Sequence, residues 1–300
     1  MSALPPAPAA GEFRFDRRAV AAAFDRASGA YDAAARLQRE VRAELLGRLD
    51  YFRLEPATVL DLGAGTGAAA AELARRFRRA RVIALDIAPG MLRAARRRQW
   101  PWRRFDRVCA DAHALPLRSG SVDLVFSSLM LQWSDRPDGV FAECARVLKP
   151  GGLLLFSTFG PETLAELRAA WATVDSAPRV SVFPDMPELA AALQQAHLAE
   201  PVLDAERLVR HYPDVRALLQ ELKTIGARNA AATRARGLTG PRSLARMIAS
   251  YEQRREARGV PATWEIFHGA AFGTGPGDET GVPGEVHVPL SSLKLRQRGS

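Results

Sequence analysis

Cysteine and histidine are scarce in this chain, two and five among 300 residues. Two cysteines cannot build a disulfide framework. Cys109 and Cys144 both lie in apolar stretches and read as buried thiols in a reducing compartment. The histidines are scattered, with no metal-ligand spacing, and no metal is expected. No apolar run approaches the roughly 20 residues that a membrane span needs. The first residues are rich in proline and alanine and lack the basic and apolar regions of a secretory signal. A soluble, cytoplasmic protein without a membrane partner is expected. Acidic residues lag as well: 33 Asp and Glu face 42 Lys and Arg, a net charge of +9. Such a surface suits nucleic acid, an anionic membrane or an acidic protein. It also suits a solvated face in an Arg- and Ala-rich composition.

Against those absences stands a regular alternation. Arg18 to Phe52 repeats apolar residues at three- and four-residue steps, broken near Ser28-Gly29, which predicts N-terminal helices. Short apolar runs then alternate with helical stretches. Strands are predicted at Thr58–Leu62, Arg81–Ile87, Val108–Ala110, Val122–Ser128 and Leu153–Phe159, with helices to about Phe77 and over Met91–Arg98 and Val140–Leu148. Near-continuous apolar strands between helices mean a parallel sheet covered on both faces. Farther on, helices are predicted at Glu162–Trp171, Pro187–His197, Asp214–Arg228 and Ser243–Glu256. Strands are predicted at Val202–Tyr212 and Thr263–Phe272. The expected organisation is a disordered head (1–15) and one α/β domain (16–273). That domain comprises N-terminal lid helices (16–54), a core (55–160), a helical insertion with the sixth strand (161–260) and the last strand (261–273). A mobile tail (274–300) follows.

Three strand ends carry the chemistry. Asp61-Leu62-Gly63-Ala64-Gly65-Thr66-Gly67 follows the first strand and opens a helix, and glycines there let the backbone turn tightly against a ligand. Asp86 ends the second strand, 19 residues beyond Gly67, where a carboxylate can accept both hydroxyls of a ribose. Asp111 ends the third, where a carboxylate can accept from an adenine amino group. The glycine spacing G-x-G-x-G departs from the G-x-G-x-x-G that seats a pyrophosphate. The preceding Asp61 suits a cofactor with a cationic amino-acid end and no phosphates.

Asp61 to Gly67, Asp86-Ile87 with Met91-Leu92, Asp111 with Leu115-Pro116, and Arg146 to Gly152 resemble the successive motifs of class I methyltransferases. The resemblance implies a Rossmann-like α/β fold whose seven-stranded sheet has an antiparallel last strand. It also implies S-adenosylmethionine, leaving as S-adenosylhomocysteine, held by Asp61, Gly63, Gly65, Asp86, Ile87, Met91, Asp111, Ala112 and Ser128. A longer match runs from about Val20 to Phe272. Phe24, Tyr31-Asp32, Leu37-Gln38, Leu131-Gln132-Trp133, Leu222-Lys223-Thr224-Ile225-Gly226-Ala227 and Pro261-Ala262-Thr263-Trp264 resemble the malonyl-acyl-carrier-protein O-methyltransferases of biotin synthesis, the BioC family. That resemblance implies methylation of the free carboxylate of a malonyl thioester on acyl-carrier protein, the expected partner. A carboxylate is already ionised at pH 7, so no general base is expected.

Tyr31, Gln38, Gln132, Trp133, Arg179 and Lys223 are the candidates for orienting that carboxylate, Arg179 by a bidentate grip. The alternatives are a methyltransferase of small carboxylic acids such as trans-aconitate, or a relative acting on protein or nucleic acid. The chain has no Asn/Asp-Pro-Pro-aromatic motif, no catalytic cysteine motif and no RNA-binding module, so no nucleic-acid partner is expected. The protein is expected to be a monomer. Arginines from Arg93 to Arg107, around Trp100 and Trp102, form a basic cluster that could dock an acidic partner or lie as a solvated stretch off the substrate side.

Overall fold

Segments rich in β-branched residues and leucine become the inner strands. In the computed structural model, which describes residues 16–99, 102, 104–175, 179–225 and 240–274, seven strands form one sheet. They are β1 (Thr58–Leu62), β2 (Arg81–Asp86), β3 (Asp106–Cys109), β4 (Val122–Ser128), β5 (Leu148–Phe159), β6 (Leu198–Tyr212) and β7 (Val260–Gly273), in the order β3-β2-β1-β4-β5-β7-β6. The first five run parallel, and β7 lies antiparallel between β5 and β6. The sheet reverses its strand order between β1 and β4, so the crevice at their carboxyl ends is where a ligand is expected.

Ten helices accompany the sheet among the described residues. They are α1 (Arg17–Ala27), α2 (Tyr31–Ala34), α3 (Arg36–Arg48), α4 (Ala68–Arg76), α5 (Pro89–Ala95), α6 (Pro137–Val147), α7 (Ala165–Ala172), α8 (Met186–Gln195), α9 (Val215–Thr224) and α10 (Pro241–Glu252). Leu60, Leu62, Phe141, Phe156 and Leu189 make the core on one face, under α6 and α8. Val59, Leu73, Leu45, Phe126 and Leu155 make the core on the other, under α3 and α4. A third core joins the N-terminal segment to the insertion through Leu37, Leu164, Leu218, Met247, Tyr251 and Trp264. Each element finds a partner for its apolar side.

The observed boundaries depart from the sequence reading in ways that have local causes. β5 begins at Leu148, not Leu153, because Leu148 pairs with Val122 before the register shifts. The preceding helix accordingly ends at Val147. α5 starts at Pro89, where a proline is at home in the first turn, and gives way to a 3₁₀ turn at Arg96–Arg98. α7 starts only at Ala165, since Leu164 before it takes a left-handed φ of 56°. β6 starts at Leu198, with an irregularity between Ala199 and Val202. Cys144 is buried, but Cys109 is exposed, because β3 is an edge strand. The expected head and all but Thr274 of the expected tail lie outside the described residues.

Candidate functional site

The glycine turn is the floor of the first cavity. Gly63 has φ of 75°, and a Cβ there would meet Met130 Cγ at 2.3 Å, so only glycine fits. The amide of Gly65 donates to Asp86 Oδ2 at 2.8 Å, and the amide of Ala88 donates to Asp86 Oδ1 at 2.8 Å. These two bonds aim the carboxylate while leaving each oxygen a second lone pair. Burial raises the pKa of Asp86, opposed by those amides. Gly63, Gly65, Asp86, Ile87, Met91, Asp111, Ala112 and Ser128, all expected from the sequence, line this cavity.

Asp61 does not stand on that wall. It is 1% exposed, and its Oδ2 has no hydrogen-bond partner. Burial, reinforced by the nearby charge of Asp86, pushes its carboxyl up to about 7. It sits beneath the turn as a partner in waiting for a cationic or hydrogen-bonding group. At the end of β3, Asp111 Oδ1 accepts from the His113 amide at 2.9 Å and meets His113 Nδ1 at 2.9 Å. Asp111 Oδ2 accepts from Arg17 Nη1 at 2.8 Å, and Ser134 Oγ lies 2.9 Å from His113 Nε2. Two buttressed strand-end carboxylates, a glycine cradle and an orphaned buried carboxylate oxygen fit S-adenosylmethionine.

The N-terminal helices close this cavity from above. Arg17, Val20, Phe24 and Tyr31 join its lining. Asp32 accepts from Thr66 Oγ1 at 2.7 Å and from Arg98 at 2.6 Å, and Asp25 accepts from the Gly90 amide and from Arg93. The basic stretch is therefore partly committed to holding the lid, not only solvated. Trp100 and Arg103 lie outside the described residues.

A second cavity adjoins the first, and Phe24, Tyr31, Leu129 and Trp133 line both. Phe24 stacks edge-on against Trp133 and Tyr31, with ring centroids 5.0 and 6.3 Å apart. Five of the six substrate candidates, Tyr31, Gln38, Gln132, Trp133 and Arg179, line this second cavity. Lys223 does not: it is exposed on the outer side of α9, while Leu222 and Ile225 face inward. Arg179 lies over Trp171, 4.8 Å from the ring centroid, and its Nη2 donates to Asp175 Oδ2 at 2.6 Å. It is the sole cation among the described residues of this lining. The rest of the lining is mostly apolar, including Phe159, Leu164, Leu167, Phe183 and Trp264. Burial raises the pKa of Tyr31 well above its ordinary value, so the phenol stays protonated and can donate. Among the described lining there is no aspartate, glutamate, histidine, lysine or cysteine to take up a proton.

Several lining residues carried no signal in the sequence. Arg17 reaches Asp111 across 94 positions, and Met130 and Ser134 sit in turns without a pattern. His113 is wedged between Asp111 and Ser134.

Residues 60–156 match a family model described as a methyltransferase domain. The chain is 48% identical over 268 residues to a malonyl-[acyl-carrier protein] O-methyltransferase of Laribacter hongkongensis, covering 87% of this chain and 90% of that one. It is 45% identical over 271 residues to the protein of the same name from Gallionella capsiferriformans, covering 88% and 93%. Among solved structures, the YcgJ protein of Bacillus subtilis matches with a TM-score of 0.56 at 17% identity, covering 77% of this chain and 98% of that one. A putative methyltransferase from Bacillus halodurans matches with a TM-score of 0.53 at 16% identity, covering 77% and 97%. These structural likenesses show a shared fold.

Proposed function

The chain belongs to the malonyl-[acyl-carrier protein] O-methyltransferase family, and we propose that it methylates the free carboxylate of a malonyl thioester on an acyl-carrier protein, for biotin synthesis. The observation that carries this reading is the pair of joined cavities: one fits the cofactor, and the other has a cation and, among its described lining, no carboxylate, histidine, lysine or cysteine. Asp86 would take the ribose hydroxyls, Asp111 the adenine amino group, and the turn at Gly63 and Gly65 the amino-acid end. S-adenosylmethionine, when bound, supplies an electrophilic methyl on sulfur.

The residues of the chain then have three tasks. Tyr31, Leu129 and Trp133, on the shared wall, fix where the two ligands meet. Arg179 attracts the anionic acceptor, and the Tyr31 hydroxyl can donate to it. Phe24, Phe159, Phe183 and Trp264 exclude water, which would solvate the attacking oxygen. The bound cofactor would supply that methyl in line with the acceptor carboxylate, whose oxygen would form the new bond while the methyl–sulfur pair stays on sulfur. No proton moves, so alignment and desolvation carry the rate.

The test is transfer of labelled methyl to malonyl-acyl-carrier protein, malonyl-CoA and tRNA in parallel. The expected product is a methyl ester on the malonyl carrier, with a rate flat above pH 6. A rate climbing tenfold per pH unit through neutrality would instead mark an acceptor that must be deprotonated. Failure to restore growth without biotin to a bacterium lacking this methyltransferase would also overturn the reading.

A further inference from the structure

The acceptor cavity is lined by a side chain whose acceptor oxygen has no partner. Gln132, in the 3₁₀ turn Leu131–Trp133, is 6% exposed and lines the cavity. Its Nε2 donates to the Leu129 carbonyl at 2.6 Å, while its Oε1 is buried and has no partner. The amide cannot turn over, because that would press Oε1 against the Leu129 carbonyl, and Nε2 keeps one spare N–H while Oε1 has no partner at all. Gln132 therefore holds a fixed, unpartnered acceptor at the edge of the cavity, next to Trp133 on the shared wall. A malonyl carboxylate there would set acceptor against acceptor. An unsatisfied buried acceptor is costly, so this position asks for a donor.

At neutral pH a malonyl thioester has no N–H or O–H of its own. Its nearest donor is the first amide N–H of the cysteamine unit beyond the sulfur. Resting on the function proposed above, we infer that Gln132 Oε1 accepts from that amide N–H. It thereby positions the thioester arm, while the carboxylate points to the shared wall. Gln132 is thus a specificity determinant for amide-bearing thioesters over free small acids, which have no such donor. Gln38 Oε1, a second buried acceptor without a partner on the same cavity, makes the lining richer in acceptors than a carboxylate alone would require.

The test compares two small acceptors: S-malonyl-N-acetylcysteamine and its ester isostere, in which oxygen replaces the amide N–H. With wild-type protein, kcat/KM is expected to be about tenfold or more lower for the ester, the range for losing one buried hydrogen bond and leaving an acceptor unpaired. In Gln132→Met, which keeps the volume and removes the acceptor, the two acceptors should differ by no more than about twofold. The ratio reports the contact even if the variant is less active, and the wild-type ratio stands without any variant. Equal use of both acceptors by wild type, as a water on Oε1 would give, overturns the inference while leaving the function intact. So does discrimination that survives Gln132→Met. If wild type methylates malonyl-acyl-carrier protein but neither small thioester, the same amide-to-ester exchange on the carrier's own arm gives the ratio. If it methylates no malonyl thioester at all, the function falls and the inference with it.

Discussion

At the scale of single residues, the proposed function assigns one cavity to the methyl donor and the other to the acceptor. Asp86 is held by two backbone amides and faces the cofactor cavity with lone pairs to spare. Asp86→Ala should weaken S-adenosylmethionine binding by about 1–3 kcal/mol, through lost bonds to the ribose and a loosened turn. Calorimetry checks it, and an unchanged dissociation constant would remove Asp86 from the site. Arg179 faces only the acceptor side. Its planar group lies over Trp171 and pairs with Asp175, geometry that a lysine cannot reproduce. Arg179→Lys should therefore lower kcat/KM for the malonyl acceptor by about tenfold or more, with cofactor affinity unchanged. An equal loss in both would mean that Arg179 shapes the fold and not the acceptor.

At the scale of elements, the site is made where distant segments meet, and legibility in the sequence follows that line. The strand–turn–helix of β1 and α4 carries its signal locally, in glycines that a left-handed turn requires, so Gly63 and Gly65 could be read onto the cavity wall, and Asp86 follows from its place at the end of β2. The position of Asp61 could not. One residue of register decides which layer a strand side chain enters, and Asp61 is buried and off the cavity lining. Lys223 is exposed on α9, off the apolar stripe that the sequence shows, while Leu222 and Ile225 on that stripe line the cavity. Contacts of the lid are longer range still. Asp32 reaches Thr66 and Arg98, while half its side chain stays in solvent. Exposed pairs of this kind contribute up to about 1 kcal/mol each. Asp32→Ala should thus leave the melting temperature within a few degrees, yet speed release of S-adenosylhomocysteine several-fold, because the latch between α2 and the glycine turn is lost. Stopped-flow displacement measures it, and an unaltered release rate would show that the lid is held elsewhere.

For the molecule as a whole, two buried groups set opposing responses of stability to pH. His268 on β7 is 2% exposed, and neither ring nitrogen has a hydrogen-bond partner. Burial pushes it down to about 4, from the usual 6.5. Between those values the unfolded chain holds a proton that the folded chain lacks, so this group makes stability rise with pH. Asp61 is pushed up to about 7, from the usual 3.8. Over nearly the same interval the folded chain holds a proton that the unfolded chain has released, so Asp61 makes stability fall as pH rises. The two contributions offset each other near pH 5 to 6, and single variants should unmask them. Denaturant unfolding without cofactor is the measurement. From pH 4.5 to 6.5, the stability of wild type relative to His268→Leu should increase by about 1–2 kcal/mol. Relative to Asp61→Asn it should decrease by a similar amount. S-adenosylmethionine adds a further consequence. A cationic ligand end near Asp61 favours the ionised carboxylate, so binding near neutral pH should release a proton in wild type and not in Asp61→Asn. Calorimetry in buffers of different ionisation enthalpy reads that proton directly. The same proton release from both proteins would show that the orphaned oxygen of Asp61 does not answer the cofactor.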